Sequence, residues 1–243
     1  MKPPKKLTHS PAVDTVIELR VSEDLNVPEL YSMLKGLFDG GIEEQGILQL
    51  PKNIRESDDK LKYQATHKIK SSDGYYFNVG PHVLGFGYTK KLPDGEDFPG
   101  WTAFYARFSE VYKQLKSHGL VNEVTRIGLR YINFFQDDDL LGKLKVGLNA
   151  GAEQLGEIED TNIGLVVLGE NSKTRVVINK GASIRVEEFT KKGQIIDIDS
   201  VSEDDGHAKP LQTIKGLHTK TKKIFFSIIG DELLAEMGPI YED

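Results

Sequence analysis

Two long amphipathic stretches, each placed after a block of strand-like runs, constrain this chain more than any other feature. In the first, Trp101, Phe104, Phe108, Val111 and Leu115 fall three or four residues apart and form one apolar stripe. The second opens at Pro210 and sets Leu211, Ile214, Leu217, Thr221, Ile224, Phe225 and Ile228 along one side. A helix with one apolar stripe must lay it on another apolar surface. The runs that precede each stripe are rich in β-branched and aromatic residues, so the surface on offer is a sheet.

Residues 13–21 read as the first strand. Asn26 then offers an N-cap, with Pro28 in the first turn and Glu29 three residues on, and Leu30, Leu34, Leu37 and Phe38 follow at helical spacing up to Gly40-Gly41. Residues 47–50 form a short strand closed by Pro51, and the charged stretch 53–60 reads as a loop. Residues 62–70 and 75–88 make a hairpin around Ser72-Asp73-Gly74. A loop at 90–100 leads into the first long helix, which Gly119 ends. The order then starts again. Residues 123–135 are a long strand, 140–148 a short helix, and 162–169, 174–186 and 194–201 three strands ahead of the second long helix. A short helix at 231–238 closes the chain.

The expected fold is therefore α+β: a mainly antiparallel, curved sheet built from two β-α-β-β-β-α pseudo-repeats, with the two long helices packed on one face. Residues 1–10 read as a flexible basic arm and 11–243 as one domain, with halves at 11–121 and 122–230. Two loosely coupled domains are the alternative, but no Ser/Gly/Pro-rich linker separates the halves.

Composition narrows the chemistry. With 31 basic and 37 acidic residues the net charge is −6, which supplies no general basic field for nucleic acid. There is no cysteine, so disulfides, thiol nucleophiles and cysteine-ligated metals are excluded. No apolar run reaches the roughly 20 residues that span a bilayer, and no apolar segment follows the basic start. The expectation is a soluble, cytoplasmic protein that contacts no membrane.

Several residues could carry chemistry. In the strand 123–135, Arg126, Gly128 and Arg130 share one face, and Ile127, Leu129, Tyr131 and Asn133 the other. Arg126 and Arg130 lie roughly 13 Å apart at about 3.3 Å per residue, and two guanidinium forks on one face suit an anion or a nucleic acid. The competing reading pairs them with cross-strand acids such as Glu18 or Glu187. Lys215, Lys220, Lys222 and Lys223 could give the second long helix a basic face for RNA, DNA or an acidic partner, or simply be solvated. His218 sits beside that helix's apolar stripe, as a ligand or catalytic group or as a structural histidine bonded to a strand carbonyl or to Asn133.

Asp137, Asp138 and Asp139 read as acids at a helix start rather than as metal ligands, and the stretch 203–207 as a solvated acidic loop. Asp197 and Asp199 share a strand face, but two carboxylates alone define no hydrolase. The glycines of 80–87 lack the spacing of a phosphate loop and read as a bulge or bend in a strand. No Walker, kinase or G-x-S-x-G signature occurs, and no cofactor or metal site is expected.

Four ordered segments carry a family resemblance: PAVDTVIELR at 11–20, GWTAFYARF at 100–108, RIGLRYIN at 126–133 and HTKTKKIFF at 218–226, ahead of Gly238. In these the chain resembles a sporadically distributed bacterial family of uncharacterised proteins of about 250 residues. The resemblance implies a fold-level grouping and, through the patchy distribution that mobile genes show, phage-defence or toxin–antitoxin biology. It brings no catalytic residues.

The expected function is a non-catalytic binding or interaction protein, of an accessory, antitoxin or immunity type, with a protein partner encoded nearby. An acidic balance suits masking of a basic partner. The alternatives are a nucleic-acid-binding module using Arg126 and Arg130 or the Lys215–Lys223 helix face, and an enzyme with an unfamiliar site near His218, Arg130 and Asn133. A homodimer is compatible with the sequence, which points to no surface for it.

Overall fold

The computed structural model describes residues 3–90, 97–136, 139–146, 160–186, 189–202 and 208–241. Its elements run β1 (Lys6–Leu7), β2 (Ala12–Val21), α1 (Val27–Leu34), β3 (Ile42–Glu44), α2 (Lys52–Ser57), α3 (Asp59–Lys62), β4 (His67–Lys70), β5 (Tyr75–Gly80), β6 (Val83–Thr89) and α4 (Trp101–Ser117). The chain continues through β7 (Val124–Phe135), β8 (Thr161–Gly169), β9 (Ser172–Val186), β10 (Phe189–Ser202), α5 (Pro210–Ile228), α6 (Asp231–Glu236) and β11 (Pro239–Ile240).

Nine strands form one open antiparallel sheet in the order β3-β4-β5-β6-β2-β7-β10-β9-β8. The order shows the repeat. In each half a first strand (β2 or β7) is followed by a meander whose last strand (β6 or β10) returns to pair with it, and then by a long helix. The two first strands pair with each other at the centre, from Ala12 opposite Asn133 to Val21 opposite Val124. The expected α+β fold with its antiparallel sheet is what the chain adopts.

Period-2 alternation decides which face is covered. Ile17, Leu19, Phe86, Ile127, Leu129, Ile196 and Ile198 are buried on one face. Phe104 of α4 packs on Phe86, and His218 of α5 on Tyr131, so both long helices lie on that side. One buried cluster gathers β2, α1, β4–β6, α4 and β7, and a second gathers β9, β10, the end of α5 and α6. Ile214 and Leu217 of α5 belong to the first and Phe225 and Ile228 to the second, so one helix is shared by both cores.

The local chemistry follows its signals in several places. Asn26 accepts a hydrogen bond from the Glu29 amide and starts α1. Gly74 takes φ +87° in the turn between β4 and β5, a conformation a side chain disfavours.

Five details differ from expectation. The stretch 47–50 is no strand; a 3₁₀ turn at Gly46–Gln49 forms there, held by Leu48 N–H to Gln45 C=O and Leu50 N–H to Ile47 C=O. The charged stretch 53–60 is helical, as α2 and α3, and Asp58 caps α3 by accepting from the Lys60 amide at 2.7 Å. The run 75–88 is two strands that fold back on each other, with Gly80 opposite Val83, because Pro81 leaves no amide for a ladder and takes the turn with His82. Within 140–148 only Leu141–Lys143 turn as a 3₁₀ helix, and Leu144 bridges Ile229; residues 147 and 148 lie outside the described residues. Part of the segment read as an arm is also paired, since Lys6 and Leu7 lie opposite Ile240 and Pro239. Among the described residues no helix is long and apolar enough to cross a membrane.

Candidate functional site

The sheet face that carries no long helix gathers the charged side chains of the central strands. On it Arg126 donates to Glu18 at 2.7 Å, and Arg20 reaches the same oxygen at 3.2 Å. Arg130 grips Asp197 with both branches of its fork, Nε to Oδ1 at 2.9 Å and Nη2 to Oδ2 at 2.7 Å. The two arginines singled out as an anion surface are thus each held by a carboxylate of their own sheet. Glu18 is one of the expected partners, Asp197 takes the other arginine, and Glu187 lies outside the described residues. An incoming phosphate must compete with bonds already made, one of them bidentate.

Beside these pairs, Asp14 accepts from the Tyr76 hydroxyl at 2.9 Å and the Thr89 hydroxyl at 2.6 Å. Burial raises the Asp14 carboxyl above its ordinary range, and the two hydroxyls oppose that rise. Burial also raises Asp199, against the pull of Arg126 and Arg130. The ring of Tyr76 lies over Gly87, where any Cβ would stand 2.1 Å from the ring, and Lys68 Nζ sits 3.9 Å above the ring centre. Gly87 therefore makes room for a cross-strand aromatic ring, and β6 pairs with β2 and β5 in continuous register rather than through the expected bulge.

A cleft of about 410 Å³ opens on this face between the central strands and the segment that carries Gln45 and Tyr63. Glu18, Gln45, Gln64 and Asn78 supply its polar lining, and Arg20 stacks over Tyr63 at 4.4 Å. Its one carboxylate, Glu18, is already shared by two arginines.

On the helical side, His218 stacks on Trp101 with ring centres 3.9 Å apart and planes 3° from parallel. The Tyr131 hydroxyl lies 3.2 Å from its Nδ1. Burial, aided by the charge of Lys222, holds the imidazole down at about 3, so it is neutral near pH 7. The partner is Tyr131 and not Asn133, whose side-chain amide donates instead to the Ile196 carbonyl at 3.0 Å. Asn133 and His218 lie on the helix-covered side, while Arg130 points to the other, so the sheet separates the three residues expected to converge.

On α5, Lys215, Lys220 and Lys223 are exposed and Lys222 is half-buried. Lys220 donates to the Ser172 hydroxyl at 2.7 Å, and Lys215 lies 5.1 Å over Tyr105. The helix contains no acidic residue. Among the described residues no group of three or more His, Asp and Glu converges as a metal site. Asp139 accepts from the Gly142 amide, the turn-capping role expected of it; Asp137, Asp138 and 203–207 lie outside the described residues.

The feature sequence reasoning missed is at the sheet's end. β8 is an edge strand, paired among the described residues only with β9. Its nine residues, TNIGLVVLG, carry no charge, and Leu165, Val166, Val167 and Leu168 are 38, 55, 43 and 75% exposed. Apolar residues on both faces are what a strand covered on both sides carries. The signal available in sequence was that two-sided apolar run; its position at an edge follows from topology alone.

No protein-family model matches the chain, and no curated protein or solved structure matches it.

Proposed function

We propose that this chain is a non-catalytic interaction protein that binds its partner by strand addition at β8. The observation that carries the reading is the nine-residue uncharged edge with four consecutive exposed apolar side chains. An edge strand presents alternate N–H and C=O groups with no partner beside them, and proteins normally protect such an edge with charge, proline or brevity. β8 has none of these. An extended segment laid along it gains a ladder of backbone hydrogen bonds and apolar contacts on both faces. The accessory, antitoxin or immunity role that the family resemblance implies belongs to this reading, as does a cytoplasmic setting.

Affinity capture with the wild-type chain and with Val166→Lys at moderate salt tests it. The lysine leaves the fold in place, as far-UV circular dichroism will show, and abolishes capture of whatever protein the wild type holds. Equal capture by both chains contradicts the reading.

A second reading rests on α5, which presents lysines with no acid among them. There the partner is a nucleic acid. Binding must then weaken steeply as salt rises, and must fall further in a Lys215→Glu, Lys223→Glu variant.

A further inference from the structure

The two ends of the nine-stranded sheet are built differently. At one end β3 has three residues, Ile42–Glu44, two of them acidic, and Glu43 is tied to Lys70 at 2.6 Å. That edge is short and charged, the usual protection against pairing. At the other end β8 is three times as long and uncharged. A protein that stacked head-to-tail would need two open edges, one to offer and one to receive. Among the described residues the nine-stranded sheet offers one.

We infer that β8 pairs with β8 of a second copy, antiparallel about a twofold axis, to form a closed dimer with one continuous sheet. The inference rests on the strand-addition reading and names the occupant. Antiparallel pairing of a strand with its own copy is the one arrangement in which a single open edge satisfies both partners, so assembly stops at two. Absence of charge removes the like-charge repulsion that self-pairing would otherwise meet along Thr161–Gly169, and an axis beyond Leu165 keeps the flanking acids Asp160 and Glu170 from lying opposite each other. Leu165 to Leu168 lie at or beside the axis, and the side chain that is 75% exposed in the single chain, Leu168, gains cover from the partner strand. The twofold axis stands perpendicular to the sheet, so both copies of α5 lie on the same side of the joined sheet.

Sedimentation equilibrium of the purified full chain over a wide concentration range tests the inference. The expected result is a rise from 27.1 kDa to twice that mass and no further, lost in Val166→Lys and in Leu168→Lys but retained in Ile54→Lys, a control at another exposed apolar residue. Because the chain has no cysteine, a series of single cysteines at positions 163 to 168 gives an independent readout that no unfolded variant can mimic. Under mild oxidation one or two neighbouring positions, those at the axis, must yield the disulfide-linked dimer, and the remaining positions must not. A dimer indifferent to Val166→Lys, or growth beyond two copies, overturns the inference. A chain that stays monomeric yet captures another protein in a Val166-dependent way also overturns it, while leaving strand addition intact. A monomer with no Val166-dependent binding of any kind removes both.

Discussion

At the scale of single residues, the side chains that looked most reactive turn out to be the most fully engaged. His218 is pressed flat on Trp101 and faces the Tyr131 hydroxyl, and burial keeps it neutral. Its folded value, about 3, lies below the ordinary 6.5, so between those values the unfolded chain takes up a proton that the folded chain refuses. Stability is therefore full above about pH 6.5 and falls as pH drops towards 3, by at most roughly 4–5 kcal/mol from this residue. Urea denaturation from pH 4 to pH 7 should show that slope in the wild type and a shallower one in His218→Phe. Identical slopes would mean that the imidazole is not held neutral. The sequence placed His218 on the right helix face, but its partner lies 87 positions away, and spacing along one chain cannot show which strand residue a helix will meet. The same limit applies to Arg130: its face was legible from period-2 alternation, whereas its bond to Asp197 depends on β10 returning beside β7.

At the scale of elements, the long and strongly patterned segments were readable, and the short ones were not. α4 and α5 begin at Trp101 and Pro210 as their stripes require, and the long strand at 123–135 is β7 with one residue fewer. The errors cluster at 47–60, where turns and short helices depend on caps and local i to i+3 bonds rather than on a period. One element contact was invisible in sequence. Ser200 of β10 links Thr174 of β9 at 2.9 Å to Thr221 of α5 at 2.7 Å, a buried chain of three hydroxyls that fixes α5 over the second half of the sheet. Removing the central hydroxyl strips a partner from both threonines, and a buried polar group left unpaired costs about 1–3 kcal/mol. Ser200→Ala should lower the unfolding free energy by about that much in chemical denaturation, and more than Thr221→Val, which leaves the Thr174–Ser200 bond in place. Equal effects of the two would argue against a connected chain.

At the scale of the whole molecule, two similar halves meet at β2 and β7, and the repeat leaves an asymmetry at its ends. The first half adds β3, a short acidic strand that closes its edge; the second half ends on β8, whose outer edge no described strand pairs. The pattern of the halves could be inferred from element order, but which strand would be outermost could not, because a meander may add its strands on either side of the strand it leaves. That placement is what leaves an ordinary apolar run exposed on an edge strand. Strand addition at β8 is read out by amide hydrogen exchange across that strand, made on the chain alone at low and high concentration and again with any protein it captures. If a strand adds at β8, alternate amides of Thr161–Gly169 exchange quickly in the dilute chain and become protected on association, while those of β9 are slow throughout. If the outward-facing amides of β8 exchange at the same fast rate under every condition, no strand adds there, and β8 is not where this protein binds.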